Sequence, residues 1–186
     1  MEKPDMLFSE EQIRRRVAEL GAEITKAYAG QPLSIVGMMK SGLVFMADLI
    51  RQIPLDLTVH MVRATQAGKG GTEITYAAEV KYEGENILLV DDIVDTGVTL
   101  SYLLEHIREH GPRSLRVCAL VDKSADRKVD VRPDWAAFAL TEPTRGFIVG
   151  YGLDFAEHYR GLPYIGTLNK PAPRDAGGSL SLEGEA

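Results

Sequence analysis

The sequence has a single cysteine, Cys118, among its 186 residues, which excludes a disulfide within one chain. It has no apolar segment approaching the roughly 20 residues of a membrane-spanning helix, and residues 1–6 lack an apolar signal core. Its net charge of −6 provides no basic excess to attract nucleic acid or anionic lipid. We therefore expect a cytoplasmic protein with no nucleic-acid partner and no membrane partner.

Two further site classes have little support in the sequence. The four histidines show no spacing typical of zinc ligands, and no Ser-His-Asp or Cys-His arrangement is evident. Cys118 lies inside the apolar run 115–121, which favours a small buried hydrophobic residue over a reactive thiol. The histidines are His60, His106, His110 and His158.

The hydrophobic pattern predicts strands that alternate with helices. Ser9 and Gln12 have the spacing of a capping box, and apolar residues recur at helical spacing from Ile13 to Tyr28. Alternating strands and helices imply right-handed crossovers and a mostly parallel sheet. Further helices are predicted at residues 43–53, before Pro54, and along the face Leu100, Leu103, Leu104 and Ile107; strands are predicted at residues 33–38, 55–63, 87–90, 114–121 and 135–140.

Residues 87–100 carry the most informative pattern. The apolar run 87–90 is typical of a central parallel strand, and Asp91 and Asp92 stand at its carboxyl end. Ligands of open α/β sheets bind in the crevice at that end, so these carboxylates are positioned to meet sugar hydroxyls or a hydrated metal ion. The turn Asp95-Thr96-Gly97-Val98-Thr99 then precedes a helix, and its amides and hydroxyls form an anion cradle.

The block of residues 91–99 resembles the phosphoribosyl pyrophosphate (PRPP) signature of type I phosphoribosyltransferases, in which two acidic residues precede an Asp-Thr-Gly-x-Thr loop. It is not a Walker A loop, since no Gly-Lys-Ser/Thr follows four variable residues. At several independent points over residues 10–168 the chain resembles the bacterial hypoxanthine (hypoxanthine-guanine) branch of the family. The resemblance implies an α/β fold: a mostly parallel central sheet flanked by helices, a small hood and a flexible β-loop-β insertion.

The resemblance also implies how the sugar donor is bound. The ribose and 5-phosphate of PRPP would contact the signature, with Mg²⁺ on its diphosphate and ribose hydroxyls. Asp95 would be catalytic, because it lies close to the purine and would manage the N7 proton. The implied ribose and 5-phosphate ligands are Asp91, Asp92, Asp95, Thr96, Gly97, Val98 and Thr99, and the implied metal ligands are Asp91, Asp92 and Asp154.

A second loop could hold a second anion. Met39, Lys40, Ser41 and Gly42 follow the apolar run 33–38 and precede a helix, so their amides and the Lys40 ammonium are suited to an anion. By resemblance this anion is pyrophosphate, Arg160 also contacts it, and the peptide bond between Met39 and Lys40 is cis. Lys40 and Arg160 would offset the charge that builds on the leaving group.

The acceptor, by the same resemblance, is a 6-oxopurine. Lys123 follows the apolar run 115–121 and would donate to the six-position oxygen. The segment from Arg145 to Asp154 resembles the base-binding hood, where Phe147 would stack on the purine and the Ile148 backbone would read its edge. By the same resemblance, Asp154 would lie near the two-position substituent of the base and near the pyrophosphate-bound Mg²⁺. The implied purine-binding residues are Lys123, Phe147, Ile148 and Asp154.

Two residues depart from the branch pattern. Gln66-Ala67 occupies the place of a Ser-Tyr pair in the mobile loop predicted at residues 64–72, so closure over the site is altered or an inactive variant results. Asp91 replaces the commoner Glu, which shortens the reach of that carboxylate by one methylene. Alternatives to the salvage enzyme are a PRPP-binding regulator that binds RNA, like a pyrimidine-operon attenuator, and a xanthine-selective phosphoribosyltransferase.

The chain is predicted to form one phosphoribosyltransferase domain at residues 1–170, with the hood from about 1–12 and 141–170. Residues 171–186 are rich in Pro, Gly, Ser and Glu, which predicts a disordered tail. The resemblance implies a homodimer or homotetramer.

Overall fold

The computed structural model describes residues 2–67, 71–76, 80–144 and 146–170, and the side chains of these residues except 64–67 and 71–76. The predicted tail from Pro171, and Arg145 of the predicted hood, lie outside the described residues. The helices are α1 (Glu10–Ala27), α2 (Leu43–Ile50) and α3 (Val98–Glu109); the strands are β1 (Asp5–Phe8), β2 (Leu33–Met38), β3 (Leu57–Ala67), β4 (Gly71–Tyr76), β5 (Asn86–Val94), β6 (Ser114–Lys123), β7 (Trp135–Leu140), β8 (Phe147–Val149) and β9 (Ile165–Leu168).

The central sheet has the strand order β4-β3-β2-β5-β6-β7. Strands β3, β2, β5, β6 and β7 are parallel, and β4 pairs antiparallel with β3 at one edge. The predicted α/β fold with a mostly parallel sheet is confirmed.

Helices cover both faces of this sheet because successive residues of a strand point to opposite faces. Leu88 and Val90 of β5 pack with the buried sides of α1 and α2. Ile87 and Leu89 of the same strand pack with α3. Burial on both faces explains the unbroken apolar run at residues 87–90 of this strand. Cys118 is a buried residue of the first cluster, and burial raises the pKa of its thiol, as expected of a structural cysteine.

The predicted start of α1 and the predicted end of α2 can be compared with the structure. The capping box of α1 is present: the Gln12 amide donates to Ser9 Oγ at 3.3 Å, and the Ser9 amide donates to Gln12 Oε1 at 2.8 Å. Helix α2 ends at Ile50, earlier than the predicted residue 53. Its last turn tightens, because the Gln52 and Ile53 amides donate to carbonyls three residues back rather than four.

The predicted loop at residues 64–72 is shorter than composition suggested. Strand β3 continues to Ala67 and pairs with β4, from Val62 opposite Tyr76 to Ala67 opposite Gly71. Antiparallel pairing with β4 therefore extends β3 into residues whose composition is typical of a loop. Residues 68–70 lie outside the described part of the chain, and the pair β3–β4 forms the β-loop-β insertion.

A second sheet contains three antiparallel strands in the order β1-β9-β8. It joins residues from both ends of the described chain and corresponds to the expected small hood. The Phe8 ring stacks on Phe138 of β7 with 3.8 Å between ring centroids, so the hood packs against the central sheet.

No helix in the described part of the chain is long and apolar enough to cross a membrane.

Candidate active site

The order of the central strands creates a crevice between β2 and β5. After β2 the chain passes through α2 to β3 on one side, whereas β5, β6 and β7 follow on the other side. Loops at the carboxyl ends of β2 and β5 therefore diverge, and such a switch point is where open α/β sheets bind ligands. The two loops that the sequence predicts to bind anions are the loops at this point.

The phosphate loop, residues 95–99, leads from β5 into α3. Gly97 has φ +81°, a left-handed conformation that favours glycine, and as the N-cap of α3 it contributes no side-chain hydrogen bond to the helix. The Val98 amide donates to Thr96 Oγ1 at 3.4 Å, and the Ser101 amide donates to the Gly97 carbonyl at 2.9 Å. A helix start with a glycine N-cap beside half-buried threonines is suited to a phosphate group.

The acidic pair precedes this loop within the last residues of β5 rather than beyond the strand. Asp91 is buried, and the Asp92 amide donates to its Oδ1 at 3.0 Å. Burial, followed by the neighbouring Asp92 charge, holds the pKa of Asp91 well above its usual range. Hydroxyl donors or a cation beside Asp91 would stabilise its ionised carboxylate.

The second anion loop lies directly beside the acidic pair. The peptide bond between Met39 and Lys40 is cis, as the resemblance implied. A Cβ on Gly42 would lie 2.8 Å from the Met38 carbonyl oxygen and 3.8 Å from the Asp92 amide nitrogen. Glycine at this position therefore allows the loop to turn back onto the end of β2, with the Asp92 backbone in ordinary contact.

The cations predicted for pyrophosphate are brought together by a carboxylate that the sequence did not reveal. Lys40 Nζ lies 3.0 Å from Glu157 Oε1, and Arg160 Nη2 lies 3.1 Å from Glu157 Oε2. Arg160 also contacts Asp154 at 2.8 Å and Ser41 Oγ at 3.4 Å. A hydrogen bond from Lys40 and, to a smaller extent, one from Arg160 lower the pKa of Glu157. Lys40, Arg160 and Asp154 therefore form one charged cluster centred on Glu157.

The residues predicted to meet the six-position oxygen and the N7 proton of the purine form an ion pair. Val94 of β5 lies opposite Asp122 of β6, so the residues that follow, Asp95 and Lys123, are neighbours at the same end of the sheet. Lys123 Nζ lies 3.1 Å from Asp95 Oδ2, with only 18% and 22% of the two side chains exposed, and 3.6 Å from Asp126. This half-buried ion pair includes Asp95, the first residue of the phosphate loop.

Two further predicted base contacts, Phe147 and Ile148, lie on β8 of the hood. Phe147 is half-buried and meets the Phe155 ring edge to face, with 5.4 Å between centroids. Ile148 is buried and pairs with Thr167 of β9.

A turn at Gly152 brings the hood to the second anion loop, since a Cβ there would lie 2.4 Å from the Ser41 carbonyl oxygen. Tyr151 reinforces this junction by donating to Asp48 Oδ2 at 2.5 Å, and burial raises the pKa of its hydroxyl.

The predicted metal ligands do not form a site made by protein alone. Among the described residues, no three His, Cys, Asp or Glu side chains are grouped closely enough to hold a metal ion. Asp91, Asp92 and Asp154 nevertheless offer hard carboxylate oxygens, which suit Mg²⁺. That ion is usually held by one or two carboxylates together with substrate phosphates, so the donor set fits magnesium carried in with an anionic substrate.

Known proteins are similar to this chain in both sequence and architecture. Residues 4–156 match the family model of the phosphoribosyl transferase domain. The chain is 41% identical to the hypoxanthine-guanine phosphoribosyltransferase of Bacillus subtilis, over 90% of this chain and 93% of that protein. It is 37% identical to the hypoxanthine phosphoribosyltransferase of Haemophilus influenzae, over 88% and 94%. A crystal structure of a hypoxanthine-guanine phosphoribosyltransferase from Bacillus anthracis superposes with a TM-score of 0.84 at 37% identity, covering 90% of this chain and 99% of that one.

Proposed function

The chain belongs to the phosphoribosyltransferase family, and we propose that it transfers 5-phosphoribose from PRPP to N9 of hypoxanthine or guanine. The products are inosine or guanosine monophosphate and pyrophosphate, which makes the protein a purine-salvage transferase.

The contact between Asp95 and Lys123 is the observation that supports this proposal most directly. A lysine donor suits the six-position oxygen of an oxopurine, and a carboxylate 3.1 Å from that lysine suits the neighbouring N7. Asp95 also begins the phosphate loop. One short segment therefore ties the acceptor base to the sugar donor, as a two-substrate transfer requires.

The donor would be held at both of its charged ends. The amides and hydroxyls of residues 95–99 bind the 5-phosphate, and Asp91 and Asp92 bind the ribose hydroxyls. Fixing both substrates places C1 of the ribose against N9 and removes much of the entropy cost of bringing them together.

Lys40, Arg160 and the amides of residues 39–42 would bind the pyrophosphate. As the bond between C1 and the leaving oxygen breaks, negative charge builds on pyrophosphate and positive character develops on the sugar ring. The two cations stabilise the first, and the carboxylates of β5 lie beside the second. PRPP must replace the Glu157 carboxylate as the partner of both cations, which are 3.0 and 3.1 Å from it in the free protein.

Asp91, Asp92 and Asp154 are the residues that we propose as Mg²⁺ ligands. When bound, the ion supplies charge neutralisation for the diphosphate and ribose oxygens. Asp154 would have to exchange its contact with Arg160 at 2.8 Å for this role, and the arginine would then be available to pyrophosphate.

The base would be recognised by the hood and handled by Asp95. Phe147 stacks on the purine, the Ile148 backbone reads its edge, and Asp154 lies towards the two-position substituent. Asp95 accepts the N7 proton as the new bond forms at N9, so the purine does not keep the positive charge that bond formation would otherwise leave on it.

The decisive experiment is formation of inosine monophosphate from hypoxanthine, PRPP and Mg²⁺, followed by absorbance and checked by chromatography. Guanine, xanthine, adenine and uracil are assayed in parallel, and PRPP is omitted as the control. We expect product with hypoxanthine, guanine or both, and none without PRPP. Absence of turnover with every 6-oxopurine would refute the assignment, and product with xanthine alone would replace the proposed acceptor.

We also propose that residues 1–170 form one domain with its hood from about 1–12 and 141–170, in a homodimer or homotetramer located in the cytoplasm. Sedimentation equilibrium measures the assembly state directly, and a monomer at micromolar concentration would contradict it.

A further inference from the structure

The segment after β6 reaches back to the phosphate loop through one arginine. Arg127 lies in the connection between β6 and β7, and its side chain is 13% exposed. Its Nε donates to the Asp95 carbonyl at 2.8 Å, and its Nη2 donates to the Val94 carbonyl at 3.2 Å. The same guanidinium contacts the Asp122 carboxylate and the Val131 carbonyl.

The next residues of this segment continue the contact with the loop. The Lys128 and Val129 amides donate to the Thr96 carbonyl at 2.9 and 3.4 Å. A Cβ on Gly97 would lie 3.0 Å from Val129 Cγ2 and 3.1 Å from Arg127 Cδ. The segment therefore binds the carbonyls of three consecutive residues, 94–96, from the end of β5 into the loop, and packs against the next residue, Gly97.

These contacts determine which groups the phosphate loop offers to a ligand. A peptide unit presents its carbonyl and its amide in opposite directions, so a carbonyl held on one side leaves the following amide on the other. A carbonyl facing the ligand would repel a phosphate, whereas an amide would bind it.

We propose that Arg127 is a positioning residue, which orients the phosphate loop so that its amides converge on the 5-phosphate of PRPP; this rests on the proposed function. Arg127 does not touch the substrate. It acts by holding the carbonyls of Val94 and Asp95, and Asp122 balances its charge.

Arginine suits this role and lysine does not. The planar guanidinium presents Nε, Nη1 and Nη2 in a rigid fork, and here each nitrogen has its own acceptor. A lysine has one nitrogen, which could not reach the Asp95 and Val131 carbonyls together with the Asp122 carboxylate.

The test compares Arg127→Lys with Arg132→Lys. Arg132 lies in the same connection, but it is 83% exposed and its ion pair with Asp130 is 3.7 Å long. Binding is measured by calorimetry with ribose 5-phosphate, which carries the 5-phosphate, and with pyrophosphate plus Mg²⁺, which binds at the other loop. Neither measurement needs turnover, so the result is independent of whether inosine monophosphate is made.

We expect Arg127→Lys to weaken ribose 5-phosphate binding about tenfold, the effect of one or two lost charge-assisted hydrogen bonds. Pyrophosphate binding and every property of Arg132→Lys should stay within about twofold of the parent. In the kinetic assay the KM for PRPP should rise while the KM for hypoxanthine changes little. Unchanged ribose 5-phosphate binding would overturn the proposal, as would equal weakening of both anions, which indicates general structural damage.

If Arg127→Lys does not fold, Asp122→Asn provides the same comparison. This variant keeps the guanidinium and removes the charge of one of its acceptors. A smaller but still selective loss of ribose 5-phosphate binding supports the positioning role, and no selectivity between the two anions refutes it.

Discussion

Replacing Gly152 by alanine tests whether the hood and the second anion loop are held in register by backbone contact. Gly152 has φ +97°, and an added Cβ would lie 2.4 Å from the Ser41 carbonyl oxygen and 3.4 Å from Val44 Cβ. The first distance is shorter than real Cβ atoms tolerate, and the obstacle is backbone. Two costs should add: about 1–2 kcal/mol for an L-residue in this conformation and about 1–3 kcal/mol for forced displacement.

Gly30 supplies the matched control. It has φ +72°, and a Cβ there would meet nothing within 4 Å. Gly30→Ala should therefore show the conformational cost of about 1–2 kcal/mol without the steric one. The difference between the two variants in free energy of unfolding, measured by urea denaturation, isolates the contact between Gly152 and Ser41.

The same substitution should impair one substrate selectively. Arg160 Nη1 donates to the Gly152 carbonyl at 2.9 Å and lies 3.4 Å from Ser41 Oγ, so moving this junction moves a predicted pyrophosphate ligand. We expect Gly152→Ala to raise the KM for PRPP several-fold at temperatures where it remains folded, with Gly30→Ala unchanged. Equal destabilisation by the two substitutions, with an unchanged KM for PRPP, would refute the reasoning.

Three further substitutions test individual carboxylates. Asp95→Asn keeps the backbone but removes the proton acceptor, so kcat should fall about 10²- to 10⁴-fold with little change in PRPP affinity; normal turnover in steady-state assays would exclude the role. Asp91 has a pKa raised by burial, so the folded state holds its proton to higher pH than the unfolded state and stability falls as pH rises through that window. Asp91→Asn should therefore be the more stable protein at pH 7, with the difference in urea midpoint vanishing below about pH 4; a difference that is independent of pH contradicts this. Glu157→Gln should lower the KM for PRPP about two- to fivefold, because it frees Lys40 and Arg160 from a competing carboxylate, and an unchanged or raised KM would show that Glu157 organises the cations instead.

Local patterns were sufficient to predict the elements whose signals lie within a few residues. Strands β2 and β7 have the predicted bounds, and the capping box of α1 is present, because each depends on burial or hydrogen bonds between close neighbours. The pattern of residues 87–100 predicted a strand, a turn and a helix in this order, and the structure has β5, the turn at Gly97 and α3. The actual strand runs on through Asp91 and Asp92 to Val94, where pairing with β6 continues.

Long-range partners could not be predicted in this way. Glu157 meets Lys40 across 117 residues of sequence, and Arg127 meets Asp95 across 32. An exposed glutamate and an arginine in a polar connection have no local pattern that distinguishes them from solvated side chains. Likewise β1 and β9, whose pairing joins the two ends of the described chain, are too short and mixed in composition to predict from periodicity.

The charge pairs explain how a chain of net charge −6 can hold a highly anionic donor. In the free protein each cation predicted to meet substrate already has a carboxylate partner: Glu157 for Lys40 and Arg160, and Asp95 for Lys123. The overall field repels PRPP, so attraction must arise from exchange of these partners at close range. A phosphate oxygen can replace a carboxylate oxygen without changing the coordination of the cation. Because Glu157 contacts both cations, displacement of this one carboxylate makes Lys40 and Arg160 available to the substrate together.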